Sequence, residues 1–332
     1  KLSTDSGVDH VVCAPGNAGT AALGQNVPIA ADDIEELAAW ARENRPDLTV
    51  VGPEAPLCLG LVDRLRADGL RVFGPSRRAA RLEGSKVFAK QIMEDGRVPT
   101  AWSRSFTHCE EALAFLREKG APIVVKADGL AAGKGVTVCM EEAEAEEAIR
   151  DCLERDAFGA AGASVLVEEY LEGEEASILV LCDGEHVVPL ACSQDHKRAL
   201  EGDLGPNTGG MGAYSPAPCV TDDLWPVIRK QVVGRTLAAL QERGIGYQGV
   251  LYAGLMLTAE GPKVLEFNCR FGDPETQAVL ARWDGDLLPA LEACVDGNLD
   301  AEMVSWKPGS AVCVVMASGG YPGSYEKGKV ID

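Results

Sequence analysis

Along the first eighty residues, short β-branched runs alternate with stretches of helical spacing. Val11-Val12-Cys13-Ala14 predicts a strand, closed by the turn Pro15-Gly16-Asn17-Ala18-Gly19. Ile34, Leu37, Ala38 and Ala41 recur at helical spacing behind Asp32-Asp33, whose carboxylates suit a helix N-terminus, and Pro46 marks the stop. A strand over Leu48–Val51 breaks at Gly52-Pro53. Leu57, Leu61, Val62 and Leu65 then predict a second helix that Gly69 ends, and Val72-Phe73 runs into Gly74-Pro75. Three strands thus stop at Gly or Pro in corresponding places, the punctuation of a parallel doubly wound sheet. Ligands of such sheets lie outside the carboxyl ends of the strands, so Gly16, Asn17, Gly52, Glu54 and Gly74 are candidate contacts, with plain tight turns as the alternative.

From Ser85 the pattern changes. A short helix through Phe88 and Ile92 precedes the strand Ile123-Val124-Val125-Lys126, a glycine-rich turn, and a second strand Val136-Thr137-Val138. A helix over Glu142–Leu153 leads to Val165-Leu166-Val167-Glu168, and a hairpin turns at Asp183-Gly184. This middle stretch predicts a small α+β lid. A long glycine-rich loop, Gly205 to Gly212, precedes a helix carrying Val227, Ile228, Val232 and Leu237; loops of that length inside a compact domain are usually functional. Strands over Val250–Leu257 and Lys263–Asn268 and a helix around Leu287–Cys294 follow.

With 332 residues, 46% hydrophobic and 25% charged, the chain can bury the cores of two or three domains. Its net charge of −20 disfavours a nucleic-acid partner, and the densest basic cluster, Arg77, Arg78 and Arg81, is small. No apolar run reaches the roughly 18 residues of a membrane span and no leader pattern opens the chain, so the expectation is a cytoplasmic protein without a membrane partner. The eleven cysteines are scattered, without a C-x-x-C pair, and read as small buried hydrophobes.

Three constellations carry chemistry. Lys126-Ala127-Asp128-Gly129-Leu130-Ala131-Ala132-Gly133-Lys134-Gly135 is not a P-loop: its glycine spacing is wrong, no Ser or Thr follows the lysine, and a strand rather than a helix comes next. A glycine flap between two strands can still lay backbone N–H groups over a triphosphate, with Lys126 and Lys134 neutralising charge; a bland hairpin is the alternative. In Val264-Leu265-Glu266-Phe267-Asn268-Cys269-Arg270, alternation places Glu266, Asn268 and Arg270 on one face and Leu265 and Phe267 on the other. Oxygens so spaced suit magnesium, and the guanidinium suits a transferred phosphoryl group, against a plain Glu266–Arg270 salt bridge. Finally, the strand Val167-Glu168-Glu169-Tyr170-Leu171 can offer its backbone to an adenine edge and Glu175 its carboxylate to a ribose, unless these are only solvated acids.

In this order, the segments resemble ATP-grasp enzymes, and among them the phosphoribosylamine–glycine ligase family. Ala14–Gly19, Val51–Leu57, Leu82–Lys86, Lys126–Gly135, Ser193–Arg198, Gly205–Ser215 and Glu266–Glu275 carry the resemblance, over nearly the whole chain. It implies an α/β protein: a Rossmann-like N-terminal domain (1–84) lacking its first strand, an ATP-grasp domain (85–302) with an α+β lid at about 104–172, and the start of a C-terminal domain (303–332). It implies ATP and Mg2+ or Mn2+ as cofactors, glycine and 5-phosphoribosylamine as substrates, and a monomer or weak homo-oligomer. Lys86, Lys126, Gly133, Lys134 and Gly135 would hold the ATP phosphates, Glu168, Glu169, Tyr170 and Leu171 would meet adenine, and Glu175 the ribose. Glu266 and Asn268 would ligate the metal, and Arg270 would stabilise the phosphoryl group in flight, with Lys126 beside it. Asn17, Gly52, Glu54, Asp195, His196, Lys197, Asn207, Thr208, Gly209, Gly210 and Met211 would line the glycine and amine sites. The implied chemistry passes through glycyl phosphate to glycinamide ribonucleotide. Another ATP-grasp carboxylate–amine ligase, a biotin-carboxylase-like enzyme and an inactive nucleotide-binding fragment are the alternatives.

Overall fold

A computed structural model of the chain describes residues 1–130, 135–155, 157, 159–202, 204–326 and 328–330. In the N-terminal part, two parallel pairs form, Val12–Cys13 with Gln25–Asn26 and Thr49–Val50 with Val72–Phe73, and among the described residues they do not join into one sheet. The helix expected behind Asp32-Asp33 spans Ile34–Asn44, and Asp33 caps it by accepting from the Glu36 N–H at 3.0 Å. The single helix expected over Leu57–Leu65 is instead two, Glu54–Leu59 and Leu61–Ala67. Gly60, at φ +95°, breaks it, a conformation that glycine adopts without steric cost. Helices Arg77–Gly84 and Lys86–Asp95 follow, capped by Ser76 and Ser85.

The lid is a four-stranded antiparallel sheet of β1 (Ser103–Phe106), β2 (Ile123–Ala127), β3 (Val136–Cys139) and β4 (Val165–Glu169), in the order β1-β4-β2-β3. Helices Cys109–Lys119 and Glu142–Leu153 pack on it around a core of its own that includes Leu113, Ile123, Ile149 and Val165.

The central sheet contains β5 (Glu174–Asp183), β6 (Val187–Pro189), β7 (Gln248–Thr258) and β8 (Gly261–Asn268), antiparallel in the order β6-β5-β7-β8. Both faces are covered. Ile178, Val180 and Cys182 of β5 enter one core, shared with Leu57, Leu65, Leu82 and Ile92 of the N-terminal helices and with Ile228, Val232 and Leu240. Leu179 and Leu181 enter a second, with Trp283, Leu291 and Cys294. This two-sided burial explains why β5 reads as a continuous apolar run rather than an alternating one.

Two departures from the sequence pattern matter. The register of β8 against β7 slips by one residue: Gly254 faces Glu266 while Leu255 faces Val264. The bulge reverses the expected placement of Leu265, because Val264 and Phe267 are buried and Leu265 is not. The stretch expected as a glycine-rich loop is partly strand, since Leu204–Asn207 pairs with Arg198–Leu200, and Gly212–Ser215 pairs with Gln194–Asp195 and Ala311–Val314.

Candidate functional site

The end of β8 carries Glu266 and Asn268, two residues apart and so on one face. Arg270, just beyond, does not pair with Glu266, so the plain salt bridge is not what forms. Its guanidinium lies 3.1 Å from Glu83 Oε1 and 3.5 Å from Glu54 Oε2, and donates to Asn268 Oδ1 at 3.4 Å. Its Nε, the atom nearest Glu54, is buried and makes no hydrogen bond among the described residues. Glu83 is itself buried and accepts from the Cys269 N–H at 2.7 Å; burial pushes its carboxyl up to about 7, against the pull of Arg270. Burial opposes the charge of Arg270 too, but Glu83 and Glu54 hold it in place. Burial would likewise raise the Glu266 carboxyl, yet Lys197, Lys126, Lys86 and Arg270 hold it below the usual range. Among the described residues no group of three or more His, Cys, Asp or Glu converges as a complete metal cage. One carboxylate and one amide oxygen on a strand end fit a hard cation that keeps waters and phosphate oxygens.

The bulge has a second effect. It frees the Leu265 carbonyl, which accepts from Lys126 Nζ of β2 at 2.9 Å and so ties the lid to the central sheet. Lys126 also meets Glu168 Oε2 at 2.8 Å, and Lys90 meets Glu168 Oε1 at 3.3 Å. Lys86 donates to the Gly129 carbonyl at 3.0 Å, and burial, partly offset by Glu266, lowers its affinity for a proton. Lys86 and Lys126 therefore flank the entry to the glycine turn, and Lys90 shares Glu168 with Lys126. Gly133 and Lys134 lie outside the described residues; the Gly135 carbonyl accepts from the Ala127 N–H at 2.8 Å and keeps β2 and β3 together at its edge.

Glu168 is 2% exposed, so its carboxylate belongs to the lysines. Glu169 accepts from the Trp102 N–H at 3.3 Å and holds the neighbouring edge strand, Tyr170 is half-buried and Leu171 is buried. Glu175 accepts from Lys197 Nζ at 3.0 Å, and the same ammonium lies 3.8 Å from Glu266 and 3.9 Å from Asp195. Burial works against that ammonium, but Asp195, Glu175 and Glu266 together keep it firmly charged. Asp195 is pushed up to about 6 by burial, with Lys197 opposing. Behind it, Ser177, Tyr252 and Glu275 form a buried hydrogen-bonded chain, Ser177 Oγ lying 2.9 Å from Tyr252 Oη and donating to Asp195 Oδ1 at 3.5 Å.

The glycine loop folds onto this cluster. Thr208 Oγ1 donates to the Lys197 carbonyl at 2.9 Å and accepts from the Gly210 N–H at 3.0 Å, and the Met211 N–H donates to the His196 carbonyl at 2.7 Å. Gly209 N–H donates to Tyr321 Oη at 3.2 Å, and Asn207 pairs with Arg198. Of the N-terminal candidates, Glu54 alone meets this cluster among the described residues, through Arg270, and Gly52 lies two residues before it. Asn17 caps the short helix Ala18–Ala21 by accepting from the Thr20 N–H. Lys90 and Tyr252 were not singled out by sequence reasoning, and Glu83, Ser177 and Glu275 were given no role by it. Their only local signal is a polar side chain inside an apolar pattern.

A row of lysines beside a glycine turn, a carboxylate and amide pair beside them, and an arginine restrained by two acids can hold a nucleoside triphosphate and bear charge on its terminal phosphoryl group. Family models for the phosphoribosylglycinamide synthetase N domain and ATP-grasp (A) domain match residues 1–83 and 84–276. The chain is 54% identical over 334 residues to a phosphoribosylamine–glycine ligase of Vibrio cholerae, spanning 100% of this chain and 78% of that protein. A relative of the same name from Escherichia coli strain K12 is 54% identical, over 98% of this chain and 76% of its own length. The crystal structure of the Thermotoga maritima phosphoribosylamine–glycine ligase superposes with a TM-score of 0.84 at 34% identity, covering 96% of this chain and 77% of that one. The biotin carboxylase of Campylobacter jejuni, at 18% identity, TM-score 0.69 and 87% and 64% coverage, shares the fold alone. On matches that together run from residue 1 to residue 276, the chain belongs to the phosphoribosylglycinamide synthetase family.

Proposed function

We propose that the chain joins glycine to 5-phosphoribosylamine at the expense of ATP, giving glycinamide ribonucleotide, ADP and phosphate in purine biosynthesis. Family membership supports the reaction. The observation that carries the residue roles is the convergence of Glu266 and Asn268 of β8 and Arg270 just beyond it with Lys126 from the lid. Lys86, Lys126 and the turn ending at Gly135 hold the phosphates. The backbone of Glu168 to Leu171 meets adenine, and Glu175 the ribose. Glu266 and Asn268 would hold Mg2+ or Mn2+, which when bound neutralises phosphate charge. Arg270 faces the phosphoryl group in transit. Asp195, Lys197 and the loop Asn207–Met211 orient glycine and, with Gly52 and Glu54, the amine.

The chemistry needs two steps. A glycine carboxylate oxygen takes the γ-phosphoryl group and ADP leaves; the amine of phosphoribosylamine then attacks the acyl carbon and phosphate leaves with the C–O bond electrons. A free carboxylate would have to expel oxide, whereas phosphate leaves readily. The acyl phosphate must be kept from water, and a lid with its own core suits that task. We place the enzyme in the cytoplasm as a monomer or weak homo-oligomer.

The test is ADP release with magnesium, glycine and freshly generated phosphoribosylamine, each omitted in turn. Release that needs both substrates is expected. Equal release with bicarbonate in place of glycine would point to biotin-carboxylase-like chemistry, and background release throughout to a nucleotide-binding protein.

A further inference from the structure

Glu168 is 2% exposed, and each of its oxygens meets a different ammonium: Oε1 and Lys90 Nζ are 3.3 Å apart, Oε2 and Lys126 Nζ 2.8 Å. The two lysines are anchored differently. Lys90 Nζ also donates to Thr100 Oγ1 at 2.8 Å and to the Ala101 carbonyl at 3.0 Å, so its three protons are all engaged. Thr100 Oγ1 in turn donates to the Val264 carbonyl at 2.7 Å, which fixes this group to β8. Among the described residues Lys126 has only the bulged Leu265 carbonyl besides Glu168, two acceptors for three protons. One lysine is locked and the other is partly free.

We propose that Lys90 is a positioning residue: as the fixed counter-ion of Glu168, it allows Lys126 to leave that carboxylate for the phosphates of ATP. The inference rests on the reading that Lys126 meets the phosphates. A carboxylate stripped of its last countercharge inside a protein is strongly unfavourable, so without Lys90 the removal of Lys126 would strand Glu168. With Lys90 in place, Lys126 can exchange partners while Glu168 stays neutralised. Burial pushes the Lys90 ammonium down to about 8, with Glu168 opposing, so its charge depends on that same carboxylate. Because both carboxylate oxygens are occupied by lysines, contact of β4 with adenine falls to its backbone, which a Glu168→Gln change would keep.

The experiment measures binding of a non-hydrolysable ATP analogue with magnesium by calorimetry, with melting temperature recorded alongside, for the whole chain and four variants. Lys90→Met should weaken binding about ten- to hundredfold, the size of one charge-assisted contact. Lys90→Met/Glu168→Gln should recover most of that loss, because no carboxylate then competes for Lys126. A purely structural salt bridge predicts that the double variant binds no better than the single one, and that outcome overturns the proposal, as does unchanged binding by Lys90→Met. If Lys90→Met does not fold, Glu168→Gln decides alone: tighter binding is expected, because no carboxylate then competes for Lys126, and unchanged or weaker binding overturns the inference. Lys126→Ala separates the two readings. Its full affinity would remove the phosphate role and the inference with it, whereas lost affinity without recovery in the double variant removes only the role of Lys90.

Discussion

Arg270 is held before any substrate arrives. Glu83 comes from the helix Arg77–Gly84 and Glu54 from Glu54–Leu59, and together they fix the guanidinium at the end of β8. A pre-placed cation that need not reorganise during reaction stabilises developing charge most effectively. Arg270→Ala should therefore lower kcat far more than it raises KM for glycine, by roughly 10²–10³-fold, or about 3–4 kcal/mol. The loss of fold stability should be smaller than for an ordinary broken buried pair. Glu83 already holds its proton up to about 7, and without the arginine it would hold it more tightly, so Glu83 is not left as a bare buried carboxylate, and Glu54 is partly exposed to solvent. Steady-state kinetics and a melting curve on one preparation check this; an effect confined to KM would make Arg270 a substrate clamp. Glu266, Asn268 and Arg270 were legible as a set because two of them share a strand face. Glu83 was not, since its bond to Cys269 spans 186 residues of sequence. Lys90 was hidden for another reason: a lysine on an amphipathic helix looks solvated until the fold brings a buried carboxylate to it.

At the scale of elements, apolar patterning located β7, β8 and the helix Glu142–Leu153, and an unbroken apolar run stopped by Asp183-Gly184 located the hairpin of β5 and β6. It failed where one residue changes the count. The bulge at Leu265 cannot be read from alternation, yet it releases the carbonyl that Lys126 uses. Gly60 splits one apolar repeat into two helices by its backbone conformation alone. The glycine loop is a further case, because its shape depends on a distant segment. Gly210 sits at φ +125°, and a Cβ there would run into Pro274 Cδ. Gly210→Ala should therefore push the Thr208–Met211 loop off the segment at Pro274. The expected result is a raised KM for glycine or the amine and a strain cost on the order of 1–3 kcal/mol, with binding of the ATP analogue unchanged. Substrate titrations beside analogue calorimetry test it, and a loss of nucleotide affinity equal to the loss for glycine would show that the loop belongs to the ATP site.

In the whole molecule, the three cores divide the labour unequally. The core on one side of the central sheet takes in the N-terminal helices, so Leu57 and Leu82 are packed together with Ile178, Leu240 and Val264. That part should unfold as one unit. The lid is built otherwise: Leu113, Ile123, Ile149 and Val165 form a separate core, and among the described residues a handful of polar ties join it to the rest, including Lys126 to Leu265, Lys86 to Gly129, Asp128 to Ser85 and the Val87 N–H, and Glu168 to Lys90. Regions joined to their surroundings by few contacts open at lower free energy than the global unfolding. Ile149 is fully buried in the lid core, and cutting it to alanine typically costs about 2–5 kcal/mol. Ile149→Ala should thus raise hydrogen exchange across β1 to β4 while β5, β7 and the helix Ile34–Asn44 keep their protection. ADP release should fall with the lid, because three of the residues proposed for the nucleotide, Lys126, Gly135 and Glu168, are borne by it. Leu240→Ala supplies the contrast, since it lies in the shared core and should loosen the N-terminal helices and the central sheet together. If Ile149→Ala raised exchange uniformly over the chain, the lid would not be a separate cooperative unit, and its closing over the acyl phosphate would have to involve the central sheet as well.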